Sequence, residues 1–126
     1  MKALLDVNVL VAHAVQEHEH HSRVCRWVTR LPARARLHTC PFTEAGFLRV
    51  VMALSGISFG DARQLLAWEK DELKTAFIPA DLEAGELPEW VRGHKQVTDA
   101  YLFALSQAHQ LSFVTLDKKI PGITAI

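Results

Sequence analysis

The chain opens with a short apolar run that ends in an acid. Ala3, Leu4 and Leu5 are contiguous, not alternating with polar residues, and Asp6 follows them at once. A strand that is apolar on successive residues is buried on both faces, as in a parallel sheet covered by helices. Lys2–Val7 is therefore predicted as a strand, and helices are required on both sides of its sheet.

Further strands are predicted at intervals along the chain, at Leu37–Cys40, Lys74–Ile78, Leu111–Leu116 and Ile123–Ile126. Helical spacing of apolar residues predicts helices between them, at Asn8–Val15, His18–Leu31, Phe42–Leu54, from a Ser58 cap to Asp71, and at Asp99–His109 capped by Thr98. Strands separated by helices form right-handed crossovers in a mainly parallel sheet. The predicted fold class is α/β, a three-layer α/β/α sandwich.

Composition narrows the class of protein. The 126 residues are 49% hydrophobic and contain no repeat or linker, so a single domain spanning 1–126 is expected. No apolar stretch has the length needed to cross a bilayer, and Asp6 and Asn8 interrupt the apolar N-terminal run, unlike a signal peptide. Cys25 and Cys40 are too few for a zinc site. We expect a cytoplasmic protein with no membrane contact.

Four acids lie where such a sheet collects its functional groups. Asp6 and Asp117 each follow an apolar strand, and Glu44 lies in the first turns of the helix after Leu37–Cys40. Asp99 opens the helix that precedes the Asp117 strand. Ligands of parallel sheets bind beyond the carboxyl ends of the strands, where helix N-termini also gather. We therefore expect the four carboxylates to converge there.

Converging carboxylates require a cation. Two ionised carboxylates ~4 Å apart repel by roughly 4 kcal/mol at an effective dielectric constant of about 20. A hard divalent ion removes that repulsion, and ligation by oxygen alone selects Mg²⁺ or Mn²⁺ over zinc. Sites of this kind serve phosphoryl chemistry, because the ion activates water and neutralises charge on the phosphate under attack.

Each acid also has a structural interpretation. Asp6 can cap a helix, Asp99 can be a first-turn acid favoured by the helix dipole, and Asp117 can be a turn residue. Glu44 can be a solvated acid at a helix start. The residues alone leave these alternatives open for each position, although the joint pattern favours a metal site more than any single acid does.

Four segments in order carry a family resemblance: LLDVNVLVA, CPFTEAGFLRV with Glu44, VTDAYLFALSQAH with Asp99, and SFVTLDKKI with Asp117. Together they resemble the PIN-domain ribonucleases, specifically the VapC toxins of bacterial type II toxin–antitoxin pairs. The resemblance runs from Met1 to about Pro121. Each segment alone is a weak signal, and the specificity lies in finding all of them in this order.

The resemblance implies a parallel sheet and an acidic Mg²⁺ site that cleaves RNA phosphodiesters, with Mn²⁺ able to substitute. It makes Asp6 and Asp99 direct metal ligands and Asp117 a ligand to the same or a second ion. It makes Glu44 a ligand through water or the residue that orients the attacking water. Asn8 and Thr115 match small polar positions that support the ligands through hydrogen bonds.

The resemblance also implies a cognate VapB-type antitoxin that obstructs the site, and a homodimer. The helices Phe42–Leu54 and Asp61–Trp68 carry more apolar surface than a small domain easily buries, which fits a protein partner. Net charge is zero, yet five arginines and no acid lie in residues 23–36. RNA contact is a hypothesis for Arg26 and Arg30 and for His94 and Lys95, whose alternative is an exposed polar surface.

Two other functions compete with the ribonuclease. One is a non-catalytic α/β module that binds RNA or protein, in which Arg26 and Arg30 matter and the acids do not. The other keeps the acids for a phosphatase or receiver-like role, which is disfavoured because receivers crowd their acids after the first strand. The His-rich run from Glu17 to His21 is not an HExxH motif, and we interpret it as a solvated helix start.

Overall fold

A computed structural model describes residues 1–126, apart from the side chain of Ala125. A single parallel sheet of five strands forms its centre, in the order β3-β2-β1-β4-β5. The strands are β1 (Lys2–Leu5), β2 (Arg36–Thr39), β3 (Ala76–Phe77), β4 (Ser112–Thr115) and β5 (Thr124–Ala125). The predicted parallel α/β architecture is confirmed.

Five helices connect these strands: α1 (Val7–Ala14), α2 (His21–Thr29), α3 (Pro41–Ser55), α4 (Phe59–Leu73) and α5 (Val97–Ala108). Two single turns of 3₁₀ helix, Ala84–Glu86 and His94–Gln96, lie before α5. Within the described chain, no helix is both long enough and apolar enough to span a membrane.

The helices cover both faces of the sheet. Leu4 and Phe113 belong to a core with α5, whereas Leu5 packs with α1 and with Phe47 of α3 in a second core. Leu4 and Leu5 are both completely buried although they are adjacent in the chain. Consecutive apolar residues on β1 are thus explained by one core on each face, which is the three-layer arrangement.

Several element boundaries differ from the predictions. Thr98 does not cap the helix that carries Asp99: α5 begins at Val97, because the 3₁₀ turn at His94–Gln96 leads directly into it. The helix predicted from His18 begins only at His21. The strand predicted at Lys74–Ile78 shortens to Ala76–Phe77.

The strand order reverses next to β1. The chain passes from β1 to β2 and β3 on one side, and β4 then pairs with the other side of β1. The crevice beyond the carboxyl ends of β1 and β4 is the point at which open α/β sheets bind ligands. Asp6 and Asp117 follow these two strands, so topology alone brings them to this crevice.

Candidate metal centre

Asp6 lies between β1 and α1 and is held by two hydrogen bonds. Its Oδ1 accepts from the Val7 N–H at 2.7 Å, and its Oδ2 accepts from the Thr115 hydroxyl at 2.7 Å. The side chain is buried, at 6% exposure. Burial raises the pKa of Asp6, the two hydrogen bonds lower it, and the negative charge of Asp117 raises it further.

Asn8 and Thr115 form the network behind Asp6. The Asn8 amide donates to Thr115 Oγ1 at 3.1 Å, and its Oδ1 accepts from the Leu116 N–H at 3.1 Å. The Asp117 N–H also donates to Thr115 Oγ1, at 3.0 Å. Because Thr115 Oγ1 accepts both of these hydrogen bonds, its own O–H donates to Asp6. The contacts suit the supporting role predicted for Asn8 and Thr115, which stays a prediction.

Asp99 and Asp117 complete a cluster of like charges with Asp6. Asp99 lies in the first turn of α5, and its pKa is raised to about 6 by burial, then by the charges of Asp6 and Asp117. Asp117 Oδ1 accepts from the Lys119 N–H at 2.9 Å. Asp6 and Asp99 line the same cavity of about 280 Å³, together with Asn8. Three of the four predicted acids are therefore electrostatically coupled.

The chemistry of this donor set fits a hard divalent cation. Its donors are carboxylate oxygens, and repulsion from neighbouring carboxylates raises the pKa of Asp6 and of Asp99. Across the residues described, no three His, Cys, Asp or Glu side chains already form a closed metal-binding group. Mg²⁺ does not need one, because it commonly takes one or two carboxylates directly and keeps several waters. Asp6 and Asp99 can supply that number.

Glu44 has a different environment. Its Oε2 accepts from the Thr39 hydroxyl at 2.6 Å and forms an ion pair with Lys70 Nζ at 2.7 Å. The charges that raise the pKa of Asp99 are those of the other two aspartates, and Glu44 is not among them. The structure thus places Glu44 at the same edge of the sheet, after β2, but pairs it with a cation. Neither Thr39 nor Lys70 was predicted as its partner from the sequence.

The predicted RNA contacts are exposed, and none of them lines the acidic cavity. Arg26 and Arg30 lie on and just after α2, whereas His94 and Lys95 lie in the 3₁₀ turn that leads into α5. His18 was predicted from the sequence to be part of a solvated helix start, not of a site. His18 is half-buried and lines the cavity of Asp6 and Asp99. No sequence signal distinguished it from its neighbours.

A family model described as PIN domain matches residues 3–125. The chain belongs to the PIN-domain family. Ribonuclease VapC38 of Mycobacterium tuberculosis is 41% identical over 123 residues, covering 91% of this chain and 84% of that protein. Ribonuclease VapC44 of the same organism is 38% identical over 133 residues, covering 100% and 92%. These identities place this PIN domain among the VapC ribonucleases, as its motifs suggested.

A solved structure supports the fold independently. The crystal structure of VapBC2 from Rickettsia felis, bound to a DNA fragment from the promoter, matches with a TM-score of 0.68. The match covers 100% of this PIN-domain chain and 98% of that one, at 14% identity. At that identity the likeness concerns the fold alone, and it extends over the whole sheet and its helices.

Proposed function

We propose that this chain is a divalent-cation-dependent endoribonuclease toxin that hydrolyses RNA phosphodiester bonds in the cytoplasm, with Mg²⁺ as its cofactor and Mn²⁺ able to substitute. Membership of the VapC ribonucleases supports the reaction class. The observation that carries the proposal is the cluster of Asp6, Asp99 and Asp117. Among the described residues, no Lys, Arg or His lies within ion-pair distance of these three carboxylates. The compensating charge must come from outside the chain.

Asp6 and Asp99 are the residues proposed to hold the cation, with Asp117 binding the same or a second ion. Bound Mg²⁺ supplies a Lewis acid for the phosphate and lowers the pKa of a water. The chain itself orients the ligands: the Val7 N–H and the Thr115 hydroxyl each hold one oxygen of Asp6. Such supporting contacts keep a carboxylate in the geometry that its ligand needs.

Glu44 is proposed to orient the attacking water. Both of its contacts, to Thr39 and Lys70, use Oε2. Its Oε1 is therefore available to accept a hydrogen bond from a water in the substrate complex. Lys70 fixes the position of the carboxylate through Oε2, so that Oε1 is held at the edge of the sheet where the water would bind.

The partners proposed are RNA, a cognate VapB-type antitoxin and a second copy of this chain, with no membrane. Arg26, Arg30, His94 and Lys95 are exposed and free to contact the RNA backbone. Protein partners are supported by large apolar side chains that the chain leaves about half exposed or more: Phe42, Leu54, Phe59, Trp68 and Phe77.

RNA cleavage by purified protein tests the proposal. We expect total bacterial RNA to be cut with Mg²⁺ or Mn²⁺ and left intact with EDTA. Asp6→Asn and Asp99→Asn should each lower the rate by at least about a hundredfold, because each removes a charged ligand without changing side-chain size. Asp71→Asn is the matched control: Asp71 is an exposed carboxylate on α4, and its loss should leave the rate unchanged.

Thermal unfolding must show that the variants are folded. Full cleavage by both Asp6→Asn and Asp99→Asn would contradict the site. RNA binding that needs Arg26 and Arg30 but no acid, without any cleavage, would favour the non-catalytic binding module instead.

A further inference from the structure

A groove extends from the aspartates toward the end of α3. The cavity of about 280 Å³ that contains Asp6 and Asp99 is lined on its other side by Val50, Leu54 and His18. A second cavity of about 400 Å³ shares His18 and Leu54 and continues to Ser55. Because two residues line both cavities, they form one groove that begins at the acids.

The tautomer of His18 is set by the backbone. The N–H of His20 donates to His18 Nδ1 at 3.0 Å, so Nδ1 is an acceptor and the proton of the neutral ring lies on Nε2. The ring of His20 packs beside it, with centroids 5.7 Å apart. No described residue accepts a hydrogen bond from His18 Nε2. The groove therefore carries an N–H donor without a partner.

The lining favours a nucleobase over a phosphate. Neither cavity is lined by Lys or Arg, and the acid beside His18 beyond the proposed metal site is Glu17, so a second phosphate at His18 would meet no positive side chain of the lining and would be repelled by Glu17. Leu54 is 62% exposed and presents an apolar surface on which a flat base can pack. Each of the four RNA bases has hydrogen-bond acceptors at its edge, which a fixed N–H donor can read.

We propose that this groove receives the base of a nucleotide adjoining the scissile phosphate, with His18 Nε2–H donating to an acceptor on the base and Leu54 packing against its face. His18 is then a specificity-determining residue of the cleavage reaction. This inference rests on the proposed ribonuclease function, and it adds the subsite that selects the sequence cut.

Cleavage-site mapping on total bacterial RNA tests the subsite, followed by kinetics on a single-stranded RNA oligonucleotide that contains the mapped site. We expect His18→Ala to raise KM about three- to tenfold, as for loss of one hydrogen bond, with kcat changed less than about twofold. The base preference at one position beside the cut should relax. His18→Gln, which keeps a side-chain N–H donor, should recover part of the affinity. His20→Ala is the matched control, since it keeps the backbone donor to His18 and should preserve the preference.

The outcomes separate the inference from the function on which it rests. Cleavage by wild type with KM and base preference unaltered in His18→Ala overturns the inference alone. Weaker binding of the antitoxin by His18→Ala, with RNA cleavage as in wild type, overturns it too and assigns the groove to the protein partner. If wild-type protein cuts no RNA with Mg²⁺ or Mn²⁺, the proposed function fails, and the inference fails with it.

Discussion

The two acidic regions at the carboxyl edge of the sheet differ in how their charge is compensated. Glu44, beyond β2, has a cation of its own: Lys70 reaches it from α4 at 2.7 Å, and Thr39 donates to the same oxygen. Asp6, Asp99 and Asp117 lie beyond β1 and β4 and, in the part of the chain that the structure describes, have no positive side chain within ion-pair distance. The charge of Asp117 raises the pKa of Asp6, and the charges of Asp6 and Asp117 raise the pKa of Asp99. The negative charge of Glu44 is thus compensated by a side chain of the protein, whereas the negative charge of the three aspartates is not.

This difference separates an acid whose charge is compensated inside the chain from acids whose charge is not. A buried carboxylate without a positive partner raises the free energy of the native state even when it is hydrogen-bonded, and such groups occur most often at functional sites. The aspartate cluster therefore points to function more strongly than Glu44 does, although all four acids are equally visible in the sequence.

Removing the support behind Asp6 should have the largest effect. Thr115→Val keeps the shape of the side chain but removes the proton donated to Asp6 and the acceptor of the Asn8 amide. We expect about a 10- to 100-fold rise in the Mg²⁺ concentration needed for half-maximal RNA cleavage. Thr98→Val, at an exposed position in the first turn of α5, should behave as wild type. Unchanged Mg²⁺ dependence in Thr115→Val would show that Asp6 needs no positioning.

Removing the positive charge of Lys70 should leave Glu44 as uncompensated as the three aspartates. Lys70→Met leaves the mostly buried Glu44 without its ion pair and removes the ammonium 5.7 Å from the centre of the Phe77 ring. We expect a loss of about 1–2 kcal/mol in the free energy of unfolding, reduced from the fully buried case because Lys70 is one-third exposed. Urea unfolding measures it. Lys70→Arg should retain most of the stability, and equal stability of Lys70→Met and wild type would mean that the pair contributes nothing.

The placement of Asp6 and Asp117 could be predicted because it depends on topology alone. Asp6 and Asp117 follow strands, and the carboxyl ends of parallel strands share one edge of the sheet. Asp99 required the family resemblance, since a first-turn acid is also favoured by the helix dipole. Its predicted cap at Thr98 was wrong because a 3₁₀ turn precedes the helix, and such a turn has no strong sequence signal.

The partners of Glu44 and the environment of His18 could not be predicted. Lys70 lies on another helix, and its contact with Glu44 exists only once α3 and α4 pack together. For His18, successive turns displaced the predicted helix: the His18 N–H donates to the Val15 carbonyl at 3.0 Å, and the His21 N–H to the His18 carbonyl at 3.0 Å. Such turns compete with a regular helix over the same residues, and here they place His18 beside the acidic cavity.

Neutralising one acid in each region should change stability in opposite directions. In EDTA, Asp99→Asn relieves repulsion from Asp6 and Asp117, and we expect a gain on the order of 1 kcal/mol after allowing for solvent screening of this half-buried group. Glu44→Gln should instead be destabilising, because Lys70 loses its partner. Thermal or urea unfolding of both variants measures the contrast. If Asp99→Asn proves less stable than wild type in EDTA, Asp99 acts chiefly as a stabilising first-turn acid of α5.

The smallest expected effect is the pH dependence of the unfolding free energy in the absence of metal. Comparing wild type with Asp99→Asn should assign that dependence to Asp99. The pKa of Asp99 is about 6 in the folded chain against an ordinary 3.8, so between these values the folded state holds a proton that the unfolded state has lost. Stability contributed by protonated Asp99 is complete below pH ~4 and declines as the pH rises to ~6, with little further change above that. Asp6, whose pKa is raised chiefly by burial, adds to the same trend.

We expect unfolding free energies measured in EDTA from pH 4 to 7 to fall less steeply for Asp99→Asn than for wild type. Asp71→Asn controls for the loss of an exposed carboxylate and should leave the slope of wild type unchanged. Parallel profiles for wild type and Asp99→Asn would mean that the aspartates do not repel one another across the crevice, and the contrast with Glu44 would then disappear.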